Sequence, residues 1–374
     1  MNRAGLAALA LAFACAALAA GPPPASTPAP AGTPAAAKMP FASGPPFDIY
    51  TPTPHNLSLT LDTGPARDLL ALLTGSPDAP ATLRHLKASG PVALALAQEG
   101  MNPDDYFGRL VSYVAGTPDE LLTTYRRSAD LFKSVLDTLE SDGPLALALG
   151  ARRIGSLLPT TQPVKANLVL VPFISTAGFA DVLAVPSEGT IYLVADLPRI
   201  IGDAQAAPVP REVMLAMLRA SSAEAWRSLF APFRKPPAWP ETKAPDVEAL
   251  LAQTVAEGPP TLFLFPDEFA PITALLEEPI GRAYLRWGRA AEILMEHKRK
   301  EDDKRRVLLE VTRGDFWRRA AAIVGASMAD ALLRRVGREA YLNALAAGPH
   351  AVAKLYTSEI KKGPQLPSAV KKLL

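Results

Sequence analysis

The side chains best suited to bind metals or to act as nucleophiles are scarce in this chain. It has one cysteine, Cys15, and four histidines that lie far apart, His55, His85, His297 and His350. No two of them have the short spacing of ligands that share one zinc ion, and a single cysteine cannot close an internal disulfide. The sequence therefore excludes zinc fingers, clusters of His and Cys around zinc, and disulfide scaffolds.

A second candidate for a nucleophilic site is the pair of adjacent hydroxyls of Ser221 and Ser222, with Glu224 close by in sequence. A serine needs a neighbouring histidine or lysine to remove its proton, and none stands near these two in sequence. We therefore predict that both serines pack inside an alanine-rich helix. Three acids elsewhere, Asp181, Glu188 and Asp196, are predicted to be ordinary loop carboxylates.

The overall composition narrows the class of protein. The chain has 374 residues, with 39 Lys and Arg against 37 Asp and Glu, which gives a formal charge of +2 and removes the electrostatic argument for a nucleic-acid binder. With 49% hydrophobic and only 20% charged residues, it can bury one large core or two small ones. A disordered or fibrous protein is therefore excluded.

The N-terminus has the pattern of an export signal over residues 1–20. A short basic start, Met1 to Arg3, precedes an uncharged run from Ala4 to Ala20 that is too short and too rich in alanine for a good membrane anchor. Ala17-Leu18-Ala19 offers a site for ordinary signal peptidase, whereas Cys15 after Ala12-Phe13-Ala14 resembles a bacterial lipoprotein box. Either route predicts an exported protein: periplasmic, attached to the outer membrane through Cys15, or secreted.

The rest of the chain divides by composition. Residues 21–46 contain nine prolines and one charge, so they predict an extended linker without a core. We expect the folded part to start near residue 47 and to end near Lys361, with a helical region over 47–160 continuous with a mixed region over 161–361. Residues 362–374 form a basic tail.

Prolines that start helices and apolar periodicity predict most elements. Helices are expected over 65–73, 80–87, 91–99, 103–115, 118–139, 210–233, 246–257, 278–312 and 315–345, several beginning at a proline tolerated in the first turn. Apolar, β-branched runs near 166–174 and 190–196 predict two paired strands. The expected fold class is α+β and predominantly α-helical, with a small sheet beside a long central helix of about 210–231.

Two further stretches are predicted to be structural. The mixed charges of 297–306 indicate a solvated helix face rather than a binding surface. Apolar residues at helical spacing around this stretch predict core packing rather than a ligand pocket. They are Tyr284, Leu285, Trp287, Ile293, Leu294, Phe316 and Trp317, and further along Met328, Leu332, Leu333 and Val336.

The order of these elements resembles a known architecture. A strand like 190–194 followed by an apolar helix like 212–227 is the layout of zincin metallopeptidases, in which the helix carries H-E-x-x-H and both histidines bind Zn²⁺. More specifically, the chain resembles a family of uncharacterised bacterial zinc-dependent peptidases of the gluzincin type over most of 57–356. The resemblance rests on Leu59-Thr-Leu-Asp62 and the helix after it, Leu158-Pro159, Thr254 to Gly258, Val324 to Asp330, Val336 to Glu339, Ala347-Gly348-Pro349 and Leu355-Tyr356.

The chain departs from that family at the metal site. No histidine lies between His85 and His297, so the helix cannot carry either ligand. The lost motif could lie at Arg219-Ala220-Ser221-Ser222-Ala223, where nothing survives, or at Ala223-Glu224-Ala225-Trp226-Arg227, where the glutamate alone survives. The resemblance makes Glu257, which precedes a glycine on a downstream helix, the counterpart of the third ligand. The degenerate metal-site positions are thus Arg219, Ala220, Ala223, Glu224, Arg227 and Glu257.

These substitutions predict a pseudo-peptidase that has no cofactor and binds an unknown peptide or envelope protein. Replacing imidazole with alanine or arginine removes the ligands and puts a cation where a dication would sit. Glu257 is then left either to pair with Arg219 or Arg227 or to be solvated. Nucleic acid is not an expected partner, and a membrane is expected only through a lipid anchor at Cys15. Two alternatives stay open: an active peptidase or hydrolase with unusual ligands, and an unrelated helical lipoprotein whose two strands do not pack alongside the central helix.

Overall fold

A computed structural model describes residues 53–174, 181–203, 209–233, 244–263, 274–296, 298–313 and 316–374. The predicted export signal, Cys15 and the proline-rich linker lie outside the described residues, and so do residues 314–315, where the expected helices 278–312 and 315–345 meet. Within the described residues the protein is mostly helical and contains a small mixed sheet of four strands. The predicted α+β, predominantly helical class is confirmed.

The sheet contains the two predicted strands and two that were not predicted. Its order is β1 (Asn56–Leu61), β2 (Lys165–Phe173), β4 (Thr190–Asp196) and β3 (Val182–Ser187). The predicted strands, β2 and β4, are indeed paired, and they run parallel. They can do so because the chain returns along β3, which pairs antiparallel with β4 at the edge of the sheet.

A tight turn explains the β3–β4 hairpin. Glu188 and Gly189, the two residues between the strands, have φ angles of 48° and 80°. Positive φ at both central residues matches the twist of an antiparallel pair, and glycine adopts it without strain. β3 also contains Pro186, which an edge strand tolerates because one side of its backbone donates no hydrogen bond to a neighbour.

The first strand ties the N-terminal helical region into the same sheet. β1 pairs parallel with β2, with Asn56 opposite Lys165 and Leu61 opposite Leu170. Regions 47–160 and 161–361 therefore share the sheet. Five short helices follow β1: α1 (Gly64–Thr74), α2 (Ala79–Lys87), α3 (Gly90–Gln98), α4 (Pro103–Val114) and α5 (Glu120–Arg127). All but α5 confirm predicted helices to within two residues.

Three of the segments that were each predicted to be one helix contain two helices in the structure. The segment 118–139 divides into α5 and the 28-residue α6 (Ala129–Ser156), which continues through Pro144. The segment 278–312 divides into α10 (Ala274–Leu294) and α11 (Glu301–Thr312), and most of 315–345 into α12 (Ala320–Val336) and α13 (Arg338–Ala347). Gly337, with φ of 82°, separates the last two because a left-handed residue ends a helix.

The remaining helices complete the chain. A short α7 (Leu197–Asp203) follows β4, and the central helix α8 (Pro210–Phe230) has the bounds expected from the sequence. Helix α9 (Pro245–Leu262) runs beyond the expected end at 257 and includes Pro259 and Pro260 in its last turn. At the C-terminus are α14 (Pro349–Glu359) and α15 (Ser368–Lys371).

One hydrophobic core runs through the described residues. It includes Leu366 and Val370, so the folded part extends beyond Lys361 into the predicted tail. Trp287 and Tyr284 are buried as predicted, whereas Leu285 is 76% and Trp317 40% exposed, which corrects their assignment to the core. Among the helices of the described part of the chain, none combines the length and hydropathy needed to cross a bilayer.

Candidate functional site

The central helix α8 is held in one orientation by its aromatic side chains. Trp226 is fully buried, and its indole N–H donates to the carbonyl oxygen of Leu157, at the end of α6, at 2.7 Å. Its ring stacks on Phe230 with 4.7 Å between centroids. A buried indole with a satisfied N–H fixes the rotation of the helix about its axis. The direction of the neighbouring Arg227 is set in this way.

Helix α8 packs against the sheet and against α6. It contacts β3 and β4 on one side and the long α6 on another. The approach to α6 is close at Gly150, where a Cβ atom would lie 3.2 Å from Ser222 Oγ. Ser221 and Ser222 are both buried, and Ser221 Oγ has no hydrogen-bond partner within the described residues. The two serines pack in the helix interface, as predicted from the sequence.

Helix α9 carries Glu257 and is positioned by a glycine contact. A Cβ at Gly258 would lie 2.6 Å from the carbonyl oxygen of Gly325 on α12, and one at Gly325 would lie 2.0 Å from the carbonyl oxygen of Thr254. No side chain fits between these backbones, so the two helices cross in direct contact. The next residue toward the N-terminus of α9 is Glu257, whose position is therefore fixed by this crossing.

Glu224, Arg227 and Glu257 meet between α8 and α9, and we call them the Arg227 cluster. Nη1 of Arg227 donates to Oε2 of Glu224 at 2.8 Å, and Nη2 donates to Oε2 of Glu257 at 3.0 Å. The side chains of Glu224, Arg227 and Glu257 are 25%, 30% and 29% exposed. The pair between Glu257 and Arg227, one of the outcomes considered from the sequence, is thus present.

The two carboxylates of the cluster favour the protonated, charged form of Arg227. Burial by itself lowers the pKa of Arg227, but the charges of Glu257 and Glu224, with their hydrogen bonds, outweigh burial and raise that pKa above its ordinary value. Arg227 Nε is buried and has no hydrogen-bond partner within the described residues. The guanidinium therefore remains charged and bridges the two carboxylates.

The two segments considered for the degenerate motif differ in what they contribute to the cluster. The segment 223–227 supplies both Glu224 and Arg227 to the cluster. Arg219 and Ala220 are half-buried. Arg219 lies eight residues before Arg227, about 12 Å along the helix axis. Ala223 is buried, at 2% exposure, one turn before Arg227 on the same side of α8.

These residues do not fit a zinc ion. Two carboxylates are the only oxygen donors of the cluster, and a guanidinium stands between them. Zinc sites are usually built from three or four ligands, which are imidazoles, thiolates or carboxylates. A guanidinium fixed at the same place repels a zinc ion, because both are positively charged. In the part of the chain that the structure describes, no three His, Cys, Asp or Glu side chains are grouped so that they could hold a metal.

One acid expected to lie in a loop is buried instead. Asp196 is only 1% exposed, at the end of β4, and its Oδ1 accepts a hydrogen bond from the backbone N–H of Arg199 at 3.2 Å. Asp181 is paired with Arg199 at 2.7 Å, and Glu188 lies in the hairpin turn. The position of Asp196, at the end of a buried strand and directly before a helix, is the signal that could have predicted its capping role.

Two concave regions lie away from the Arg227 cluster. One, of about 530 Å³, is lined by α4 and the turn after it, including Arg109 and Asp119. The other, of about 330 Å³, lies between β1 and α6 and is lined by His55 and Arg152 among others. Neither is lined by a residue of the degenerate metal-site positions. The cluster is thus a packed ion-pair network rather than part of either concavity.

Comparison of the chain with protein-family models, with curated proteins and with solved structures finds no match in any of the three.

Proposed function

We propose that this chain is an exported or envelope-associated protein with a degenerate zincin-like domain, catalytically inactive, which acts by binding a peptide or an envelope protein or as a scaffold. One observation carries the proposal. Arg227 bridges Glu224 and Glu257, the surviving glutamate of the motif and the counterpart of the third ligand in the resemblance. A single cation joins the acids that a metal would otherwise join.

The packing around the cluster supports the zincin-like reading. Helix α8 lies against β3 and β4, and β3 is an edge strand of the sheet. Glu257 on α9 pairs with Arg227 on α8. The elements follow the order strand, α8, α9 that the resemblance implies. The alternative of an unrelated helical lipoprotein implied that the strands near 166–174 and 190–196 do not pack alongside the central helix. The contact of α8 with β4 supports the zincin-like arrangement over that alternative.

The same contacts argue against hydrolysis. In a zincin the motif glutamate activates a metal-bound water. Here Glu224 accepts a hydrogen bond from Arg227 at 2.8 Å, so its carboxylate is already engaged by the guanidinium. Ser221 is buried, and its hydroxyl has no hydrogen-bond partner among the residues that the structure describes. The alternative of a peptidase with unusual ligands has no group in the described cluster to replace the imidazoles.

The proposed location follows from the N-terminal pattern. Residues 1–20 direct export, and the linker 21–46 gives the folded part reach from its point of attachment. Lipidation of Cys15 would hold the protein at the envelope, whereas cleavage after Ala19 would release it. In both cases the function is binding at that location, with no cofactor required.

Metal analysis of the wild-type protein tests the proposal. Protein purified without chelator and analysed by inductively coupled plasma mass spectrometry is expected to contain far less than one zinc per chain, and to leave a peptide library uncleaved with or without added zinc. Stoichiometric zinc whose removal by a chelator abolishes peptide cleavage would overturn the proposal in favour of an active peptidase.

A further inference from the structure

One exposed stripe of α10 combines arginines with a large apolar side chain. Leu285 is 76% exposed, and Arg282, Arg286 and Arg289 are exposed beside it. These residues have the spacing i, i+3, i+4 and i+7, so they lie along one side of the helix. The opposite side is buried and includes Trp287. The stripe therefore faces away from the core.

A tryptophan extends this surface. The short 3-10 turn Phe316–Arg318 contacts α10, and the side chain of Arg286 donates a hydrogen bond to the carbonyl oxygen of Trp317. Trp317 is 40% exposed. The backbone of Trp317 is thus bound to Arg286, which follows Leu285 in the stripe, and both large apolar side chains are exposed. We call Arg282, Leu285, Arg286, Arg289 and Trp317 the α10 patch.

The segment of the chain that contains this patch is rich in basic residues. Residues 282–319 contain twelve Arg and Lys but only seven Asp and Glu, although the whole chain has a net charge of only +2. Helix α15, which precedes Lys372, also contacts α10 and contributes Lys371. Within the α10 patch, Arg282 is paired with Glu278, whereas Arg289 forms no ion pair with any residue that the structure describes. The local charge is therefore positive on an otherwise nearly neutral molecule.

We propose that the α10 patch docks the protein on an anionic lipid surface. Exposed leucine and tryptophan side chains bury apolar area when they insert at the boundary between lipid headgroups and acyl chains, and flanking arginines bind the lipid phosphates. A nucleic acid would be bound by a basic surface without need of an exposed leucine, and the near-zero net charge of the chain disfavours it. The docking is independent of the proposed pseudo-peptidase function and of any acyl chain on Cys15.

The single cysteine makes a direct test practical. In the full chain with Cys15→Ser, which has no other cysteine, Leu285→Cys is labelled with an environment-sensitive fluorophore. Leu145→Cys in the same background is the matched control, because Leu145 is 72% exposed on α6, outside the patch. Vesicles contain either 30% phosphatidylglycerol in phosphatidylcholine or phosphatidylcholine alone.

The label at 285 is expected to shift to the blue and brighten with phosphatidylglycerol vesicles, and the shift is expected to be lost in 0.5 M NaCl. The label at 145 should respond to neither vesicle. Adding Arg282→Gln and Arg289→Gln is expected to weaken binding about five-fold for each arginine. Arg126→Gln with Arg127→Gln, an exposed pair on α5, should change nothing.

Three outcomes would overturn the proposal. They are an equal response of the 285 label to both kinds of vesicle, an equal response of the 145 and 285 labels, and a blue shift produced by RNA but not by anionic vesicles. Binding of the N-terminal apolar segment to lipid would not imitate the expected result, because it does not place residue 285 in the membrane while leaving residue 145 in water.

Discussion

At the scale of single residues, Arg227 forms two hydrogen-bonded ion pairs with acids on two helices. A partly buried carboxylate is costly unless a charge or a donor compensates it, and the guanidinium supplies both to Glu224 and Glu257. The planar geometry of arginine lets one side chain reach two acids on different helices. Arg227 thus joins α8 to α9.

Replacing Arg227 with glutamine should therefore destabilise the protein. The two glutamates would be left facing each other across the helix interface, at an expected cost of about 1–2 kcal/mol in the free energy of unfolding. Urea unfolding monitored by circular dichroism measures this cost. Arg282→Gln, which removes an exposed helical pair with Glu278, is the matched control and should cost less than about 0.5 kcal/mol.

A double-mutant cycle separates the ion pair from other effects of the substitution. Glu257→Gln in the Arg227→Gln background should recover part of the lost stability, since it removes one of the two unpaired charges. We expect a coupling of about 1 kcal/mol between the two positions. Strict additivity of the two changes would mean that the Arg227–Glu257 contact contributes nothing.

His55 is a second residue whose environment predicts a measurable effect. The backbone N–H of Val164 donates to its Nδ1 at 3.0 Å, and its Nε2 faces the carbonyl oxygen of Leu158 at 3.4 Å, which fits a neutral ring protonated at Nε2. Burial lowers its pKa below the usual 6.5, Arg338 lowers it further, and the bond to Leu158 and the charge of Glu339 oppose this. The folded protein thus favours the neutral ring.

This lowered pKa makes stability depend on pH. The unfolded chain takes up a proton on His55 near pH 6.5 and the folded chain only at lower pH, so the contribution of His55 is complete above pH 6.5 and declines as the pH falls through the folded pKa. Unfolding free energies of wild type and His55→Gln, measured between pH 7.5 and 5, should converge toward acid pH. A constant difference between them over this range would contradict the assignment.

At the scale of elements, the contact of α9 with α12 through Gly258 and Gly325 positions Glu257. Side chains larger than hydrogen cannot enter this crossing, because a Cβ at Gly325 would lie 2.0 Å from the carbonyl oxygen of Thr254. Thr254 itself is held by Trp287, whose indole N–H donates to its hydroxyl at 2.7 Å. The crossing therefore fixes the place of α9 more firmly than apolar packing alone would.

Gly325→Ala should separate the two helices and destabilise the protein by about 3 kcal/mol or more, because neither backbone can yield without moving a whole helix. Gly108→Ala is the matched control, since Gly108 lies on the exposed side of α4 with nothing within 4 Å of the added Cβ. That change should stabilise by about 0.5–1 kcal/mol. Thermal unfolding of both variants checks the opposite signs.

How well an element could be predicted depended on whether its signal was local. Proline in the first turn defined α1 to α4 and α8 closely, because that preference acts within a few residues. The pairing of β1 with β2 depends on residues 109 positions apart, as Asn56 and Lys165 show, so no local pattern required it. The breaks between α5 and α6 and between α10 and α11 occur without a glycine or proline, and periodicity alone did not place them.

At the scale of the whole molecule, the sequence predicted the fold class and the acids of the cluster but not their surroundings. The spacing of Glu224 and Arg227 on one helix and the position of Glu257 were enough to suggest a pair. The choice of Arg227 over Arg219 depended on where α9 crosses α8, which is a tertiary property. The burial of Asp196 and the exposure of Leu285 likewise depend on neighbours distant in sequence.

The central claim is that Arg227 stands where a zinc ion would be held by two histidines and Glu257. Restoring histidines at both positions, Ala223→His with Arg227→His, recreates H-E-x-x-H in the segment 223–227 and leaves Glu257 as the third ligand. The pair of substitutions is best compared with Arg227→His alone and with the double variant carrying Glu257→Gln. Circular dichroism confirms that each variant is folded.

Zinc titration of these variants by isothermal calorimetry is the most direct measurement of the claim. The account predicts about one zinc per chain for the double variant, much weaker binding when either Ala223 is retained or Glu257 is changed, and none for wild type. A folded double variant that binds no zinc, or a wild-type protein that binds zinc as tightly as the double variant, would contradict the account.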